Sequence, residues 1–486
     1  MNANPALQSS RLRRFRLLAV LLAITPFLLL EITVRLLGWG LPRESYDPYL
    51  GFKSVHPLFV VNDSQDRYQV AESRLDFFQP DHFPTSKESS TYRIFCLGGS
   101  TVQGRPYSLE TAFSSWLELS LQSAAPQRSW EVINCGGISY ASYRLVPILE
   151  EILNYQPDLV ILYTGHNEFL EDRTYPQFKD PSLAQQALYH AQSSWRTINW
   201  LRQHFYPPPL PNDSDARPIV MPTEVNGLLD QARLQDYHRD ASWHQDVVQH
   251  YEFNLQRMIQ LTARAHVPLL LVNPVSNLKD CPPFKIEPSS NLGQVDRQRV
   301  EQLQHDAHSA KSLALRLEKL EAAVALDPLH AGIQYQLGKC YEDLEQFNKA
   351  RQSFLAAKDQ DVCPLRMLES MHAVLLRTAS ETDTPLIDAR KLLENRSSEG
   401  IPGKKVLLDH VHPTIEAHQW IAQALLETMC ELKILTARRD WQAARTQRYR
   451  EHLAGLSEVY YARGKQRLAG LRLWTQGRAK PRSAAP

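Results

Sequence analysis

YRIFCLGGSTVQGRPYS, Tyr92–Ser108, packs an apolar burst, two glycines and a serine into one short stretch. The burst Ile94–Leu97 shows no polar alternation, so it reads as a strand covered on both faces, the signature of a parallel sheet. Gly98 and Gly99 stop it, and Ser100 follows at once. Gly-Gly-Ser-Thr is ordinary turn and cap chemistry. It is also a way to hold a hydroxyl at the carboxyl end of a parallel strand, where ligands bind in such sheets.

Working outward, the same rhythm repeats. Leu109–Leu121 has helical spacing through Phe113, Trp116, Leu117 and Leu121. Trp130–Asn134 is a second short strand, Val146–Leu153 a helix, and Asp158–Tyr163 a continuous apolar strand. His250–Ala265 and Val267–Asn273 add a helix and a fourth strand. Alternating strands and helices predict a doubly wound α/β domain.

The bulk numbers agree with a folded chain of more than one domain: 486 residues, 43% hydrophobic and 22% charged. A net charge of +1 gives no global field for nucleic acid, and no nucleic-acid motif is present. The 31 prolines outnumber the 19 glycines, which predicts long, stiffened connections. Six cysteines without a C-x-x-C pair exclude a disulfide-built fold and a zinc ribbon. No metal-ligating pattern appears. Gly98-Gly99-Ser100-Thr101 lacks the lysine of a phosphate loop, so neither metal nor cofactor is expected.

The N-terminus adds a membrane expectation. A basic segment, 1–16, carries Arg11, Arg13, Arg14 and Arg16. Residues 17–39 then supply the ~20 largely apolar positions that a bilayer needs. With the basic flank cytoplasmic, they read as an uncleaved single-pass signal anchor, with the rest of the chain on the periplasmic side. Residues 43–90 form an irregular or β-rich lead-in.

Two segments interrupt the α/β rhythm. Residues 173–245 are long, polar and contain YPPPLP at Tyr206–Pro211, the mark of an insertion, lid or partner surface. Residues 297–360 are helical. Leu320–Asp361 resembles a tetratricopeptide repeat, with Tyr335, Leu337, Gly338 and Tyr341 on its first helix and Phe347, Ala350, Phe354 and Ala357 on its second. One such unit buries little alone, so it should lean on neighbours and offer a surface to a protein partner. The α/β domain is then 91–296 and 361–436. The tail, 437–486, is basic and aromatic, and reads as a helical hairpin packed on the repeat.

Three further polar runs fall where strand ends are expected: INCGGISYASY (Ile133–Tyr143), YTGHNEF (Tyr163–Phe169) and VLLDHVHPT (Val406–Thr414), the last read as a short strand ending in Asp409 and His412. Together with Ser100 they form a chemical set. A serine needs a base, a histidine supplies it, and a carboxylate fixes the histidine's tautomer. Asp409 and His412, three apart, can come from one loop. Backbone near Ser139, the Asn167 amide and the Ser100 N–H can hold an oxyanion.

These four stretches, in this order, resemble the SGNH hydrolases, the GDSL-type esterase/lipase family. The resemblance implies a flavodoxin-like three-layer α/β/α sandwich with Ser100 as nucleophile, His412 and Asp409 as its base and orienting acid, and Asn167 in the oxyanion hole. The block II donor is Ser139 or, alternatively, Gly137. Three positions depart from the family: Gly99 stands where it has aspartate, Ser139 where it has glycine, and Glu168 where it has aspartate. The implied substrate is an ester, either a carbohydrate O-acetyl group or a lipid-like acyl chain. Acyl transfer to a polysaccharide, and a degenerate scaffold binding a partner through the repeat, are the alternatives. Asn277, Lys279 and Lys285, with Arg366, are candidates for the substrate rim. Cys281 and Cys363 bracket the helical insertion and both precede proline, so in an oxidising compartment they are candidates for a disulfide.

Overall fold

The computed structural model describes residues 5–37, 39, 57–170, 195–197, 200–201 and 237–475. The insertion expected at 173–245 therefore lies mostly outside the described residues, as do 43–56 of the lead-in and the last eleven residues of the tail. The chain divides into two units. One comprises Met1–His56 with Gln177–Ile219, the other Pro57–Pro176 with Val220–Pro486.

In the first unit a single helix, α1 (Pro5–Leu36), runs through most of the expected span. Among the described residues no helix is long and apolar enough to cross a membrane, so the anchor expected at 17–39 is not shown. The apolar run of this helix is interrupted by charge at Glu31 and Arg35. Glu31 and Arg35 pair at 2.7 Å, and Glu31 is buried, accepting hydrogen bonds from the Thr197 N–H and hydroxyl at 2.8 Å each. Leu21, Leu22, Phe27 and Leu29 on the same helix are exposed.

The second unit begins with a small antiparallel sheet of β1 (Phe59–Val61), β2 (Arg67–Val70) and β3 (His82–Pro84), which gives the lead-in its β character. The main sheet follows: β4 (Thr91–Gly98), β5 (Ser129–Gly136), β6 (Leu159–Tyr163), β7 (Leu269–Val272) and β8 (Leu386–Ile387). All are parallel, in the order β5-β4-β6-β7-β8. That is the flavodoxin-like order, with the first strand beside the switch point.

Alternate residues of each strand enter opposite cores, which is why the strands read as unbroken apolar runs. Phe95, Leu97, Val160 and Leu162 face a core shared with α4 (Ser142–Ile152), α5 (Ala241–Arg264) and α10 (Glu369–Glu381). Ile94, Cys96, Ile161 and Tyr163 face the other, filled by α3 (Phe113–Ala124) and α12 (Ile415–Glu431). The result is a three-layer α/β/α sandwich. Its remaining short helices are α2 (Ser100–Gln103) and α11 (Ala389–Glu394).

Between β7 and α10 lies the helical insertion, α6 (Gln294–Ser309), α7 (Leu313–Leu326), α8 (Ala331–Asp343) and α9 (Phe347–Asp359), built on its own core with Leu278 and Ile401 from the sandwich. The tail is the expected hairpin, α13 (Trp441–Gly455) and α14 (Glu458–Thr475). It packs on the sandwich rather than on the insertion, because its aromatic residues find partners there. The Tyr449 hydroxyl meets Ser120 at 2.6 Å, and the Tyr460 hydroxyl meets Thr111 at 2.7 Å.

Two strand expectations change. Val406–Asp409 is not a sheet strand. Its backbone closes on itself, with Leu408 N–H donating to His412 O (2.8 Å) and Thr414 N–H to Val406 O (3.0 Å), leaving an isolated Leu407–Pro413 bridge. The fifth strand is instead β8, two residues long.

Candidate active site

Ser100 opens α2 directly beyond the end of β4, with Gly99 as the capping residue. Its N–H lies in the first turn of that helix, where no intrahelical acceptor exists. The 406–414 loop brings His412 onto it. Ser100 Oγ stands 2.8 Å from His412 Nε2, and His412 Nδ1 stands 2.7 Å from Asp409 Oδ2. With Nδ1–H donating to the carboxylate, Nε2 is left to accept the serine proton. His412 and Asp409 are buried, and Ser100 is half-buried.

Asp409 is held by more than its histidine. Its Oδ1 accepts the N–H groups of Val411 (3.0 Å) and His412 (2.9 Å). Burial pushes its pKa up, but His412 and His410 and these hydrogen bonds outweigh burial and hold it well below the usual carboxylate range. Asp409, His410 and His412 bring ligand atoms within 4.8 Å of one another, a cluster the sequence reading did not foresee. Its Asp409–His412 pair is already a hydrogen bond. Burial lowers the pKa of His410 to about 4, despite the pull of Asp409, so His410 stays neutral beside the pair.

The oxyanion candidates lie around the ends of β5 and β6. Gly137 N–H is committed to Gly98 O at 2.9 Å, which removes it as the alternative donor. Ser139 is buried with φ = 62°, the left-handed region that favours glycine. Ser139 therefore holds a backbone conformation usually taken by glycine. The Asn167 Nδ2 donates to Tyr140 O at 3.1 Å, tying it to the Ser139 loop and leaving the amide's second N–H.

Gly99 and Glu168 each have a local structural role. A Cβ on Gly99 would stand 2.6 Å from Asn167 Nδ2, so a side chain before Ser100 would displace the amide. Glu168 is buried and accepts both the N–H (2.8 Å) and the hydroxyl (2.7 Å) of Ser142, fixing the start of α4 below the Ser139 turn.

The rim candidates are used differently. Asn277 is buried, its amide donating to Asp409 O and its N–H to His410 O, both at 2.9 Å. Arg366 is buried and donates to the carbonyls of Asn277 (2.9 Å) and Cys281 (2.8 Å), with Asp361 at 3.5 Å. Lys279 pairs with Glu342 of α8 at 3.0 Å, and Lys285 lies 3.4 Å from Glu287. These residues brace the Asp409–His412 loop and the insertion instead of lining a rim. Asn277 is the positioning residue whose structural role the sequence reading missed. Its signal was its place just after β7, the same sheet edge as Ser100. Cys281 and Cys363 are both buried free thiols. Each has its own surroundings: Cys281 Sγ donates to Pro282 O at 3.6 Å, and Cys363 is hydrogen-bonded to the Tyr237 side chain.

No family model and no curated protein matches the chain. Solved structures similar to it include Axe2, an acetylxylan esterase from Geobacillus stearothermophilus, at 13% identity over 69% of this chain and 93% of that one, TM-score 0.31. Others are a protein assigned to the lipolytic G-D-S-L family from Desulfitobacterium hafniense DCB-2 (10% identity, 69% and 98%, TM-score 0.30) and the acetyl xylan esterase AlAXEase (13%, 69% and 98%, TM-score 0.30).

Proposed function

We propose that the chain is an SGNH-type serine esterase. The observation that carries this is the hydrogen-bonded series Ser100 Oγ–His412 Nε2, His412 Nδ1–Asp409 Oδ2, at 2.8 and 2.7 Å, at the carboxyl edge of a parallel sheet. Ser100 Oγ attacks the ester carbonyl as its proton passes to His412 Nε2. The tetrahedral oxyanion is held by the N–H groups of Ser100 and Ser139 and by the Asn167 amide. Its collapse breaks the C–O bond, and His412 returns the proton to the leaving alkoxide. Water, deprotonated by His412, then attacks the acyl-serine, releasing the acid and restoring Ser100. Asp409 stabilises the imidazolium throughout without taking the proton.

The ester class implied by the resemblance is a carbohydrate O-acetyl group or a lipid-like acyl chain. The hydrogen-bonded triad weighs against a degenerate scaffold. The pair α8–α9 has the length and order of a tetratricopeptide unit, and we read it so. Arg11, Arg13, Arg14 and Arg16 in the N-terminal half of α1, ahead of its apolar, partly exposed stretch, support association with a membrane and placement of the sandwich outside the cytoplasm. The test is hydrolysis of p-nitrophenyl acetate by the full chain, beside Ser100→Ala and His412→Ala, with a fluorophosphonate probe on Ser100. Loss of hydrolysis in both variants and labelling of Ser100 support the esterase. A native chain that neither hydrolyses the ester nor takes the probe refutes it.

A further inference from the structure

The tail helix α14 lies against both loops of the site. On the nucleophile side, Tyr460 stacks on Tyr107 with ring centroids 5.9 Å apart, and Arg467 donates to Tyr107 O at 2.7 Å. The helix comes close because its contact residue has no side chain: a Cβ on Gly464 would lie 2.1 Å from the Tyr107 ring. On the base side, Arg472 donates to Leu408 O at 3.1 Å, one residue before Asp409. One helix thus spans the turn after Ser100 and the loop that carries His412.

Arg105 sits beneath this bridge. Its N–H donates to Ser100 O at 3.1 Å, so it belongs to the nucleophile's own turn. Among the described residues its guanidinium makes no hydrogen bond and no ion pair. The residue is half-buried, and the charged groups it senses are Arg467, which repels it, and Asp409. The Asp409 carboxylate is already taken up by His412 and two backbone N–H groups. Arg467 is exposed and has no carboxylate partner among the described residues. Burial lowers the Arg105 pKa to about 10, and Arg467 adds to that. Two guanidiniums that repel each other, beside a carboxylate already engaged by His412 and two backbone N–H groups, are an unfavourable arrangement that a bound anion reverses. Guanidiniums suit carboxylates and phosphates because their forked N–H groups match two oxygens at once.

We infer that Arg105 and Arg467 bind an anionic group, a carboxylate or a phosphate, carried by the substrate close to the scissile ester. This rests on Ser100 being the nucleophile. The tail then contributes specificity: without α14 the site would hold only one of the two cations.

The experiment compares three esters on the full chain: neutral methyl 4-acetoxybenzoate, 4-acetoxybenzoate and 4-acetoxyphenyl phosphate. Each is measured on the native protein, Arg105→Gln, Arg105→Lys and Arg467→Gln. The readout is the ratio of kcat/KM for an anionic ester to that for the neutral one, within each variant, so that a loss of folded protein cancels. The native ratio should be about 10–100, the range of one charge-assisted hydrogen bond. It should fall towards 1 in both Gln variants and recover partly in Arg105→Lys. The anionic ester with the larger ratio identifies carboxylate or phosphate. A native ratio near 1, with Ser100-dependent hydrolysis intact, overturns the anion site and leaves the esterase standing. If none of the esters is cleaved and Ser100 takes no probe, the esterase reading fails, and calorimetry with benzoate and phenyl phosphate decides the arginine pair alone. Binding that weakens at least 10-fold in Arg105→Gln supports the pair; no binding by the native chain overturns it.

Discussion

The two halves of the site are held by different means. The Ser100 turn is positioned by its own neighbourhood: the end of β4, Gly99 under the Asn167 amide, and the first turn of α2. The Asp409–His412 loop is positioned from a distance. Asn277, 132 residues earlier, holds the Asp409 carbonyl, and Arg366 holds Asn277. Local backbone geometry tolerates little change but depends on few residues. A braced loop depends on side chains far away, and each can be removed singly.

This contrast sets the order of expected effects. Ser100→Ala and His412→Ala remove the proposed reacting atoms, and p-nitrophenyl acetate turnover should fall by about 10⁴-fold or more, to background. Asp409→Asn, which leaves the shape but spoils the tautomer, should cost about 10⁴-fold in kcat, read by the same assay. Asn167→Ala should lower kcat by about 10²–10³-fold with KM little changed, as loss of one oxyanion donor does. Asn277→Ala should act only through the loop, lowering kcat by about 10-fold or more and slowing fluorophosphonate labelling of Ser100 in proportion. If Asn277→Ala lowers thermal stability and leaves labelling per folded molecule unchanged, the distinction between the two halves collapses.

The smallest effect concerns pH. His418, on α12 behind the site, is buried, stacks on Phe113 at 6.3 Å, and has neither ring nitrogen partnered. Burial first, then His412, lowers its pKa to about 3. The unfolded chain protonates it near 6.5, so between about 6.5 and 3 the unfolded state binds more protons, and stability falls as pH falls. His410 has the same sign down to about 4. Melting temperature should therefore drop across that window, and His418→Phe should make the slope shallower. An unchanged slope would place the acid sensitivity elsewhere.

Much of this was legible in the chain. Ile94–Leu97 and Leu159–Leu162 are apolar on both faces, and that alone predicts the parallel sandwich. Ser100, Asn167, Asp409 and His412 each follow a strand or sit in a tight turn, so their order along the chain already implies one edge. What stayed hidden is non-local. β8 is too short to show a period, and pairs through Leu271 N–H to Pro385 O and Asn273 N–H to Ile387 O. Val406–Leu408 looks like a strand because its side chains are apolar, yet its partner is its own loop. Asn277 and Arg366 look like rim residues because they are polar beside the site. Their acceptors are backbone carbonyls, which a sequence does not display. The tail's aromatic residues signalled packing but not its partner.

Ser100 and His412 are 312 residues apart. During synthesis at ~5–20 residues per second, Ser100 is made roughly 15–60 s before His412. The inserted helices stretch that interval. An emerging chain therefore carries Ser100 without its hydrogen-bond partner throughout that interval. Arg467 arrives later still, after both partners of that hydrogen bond.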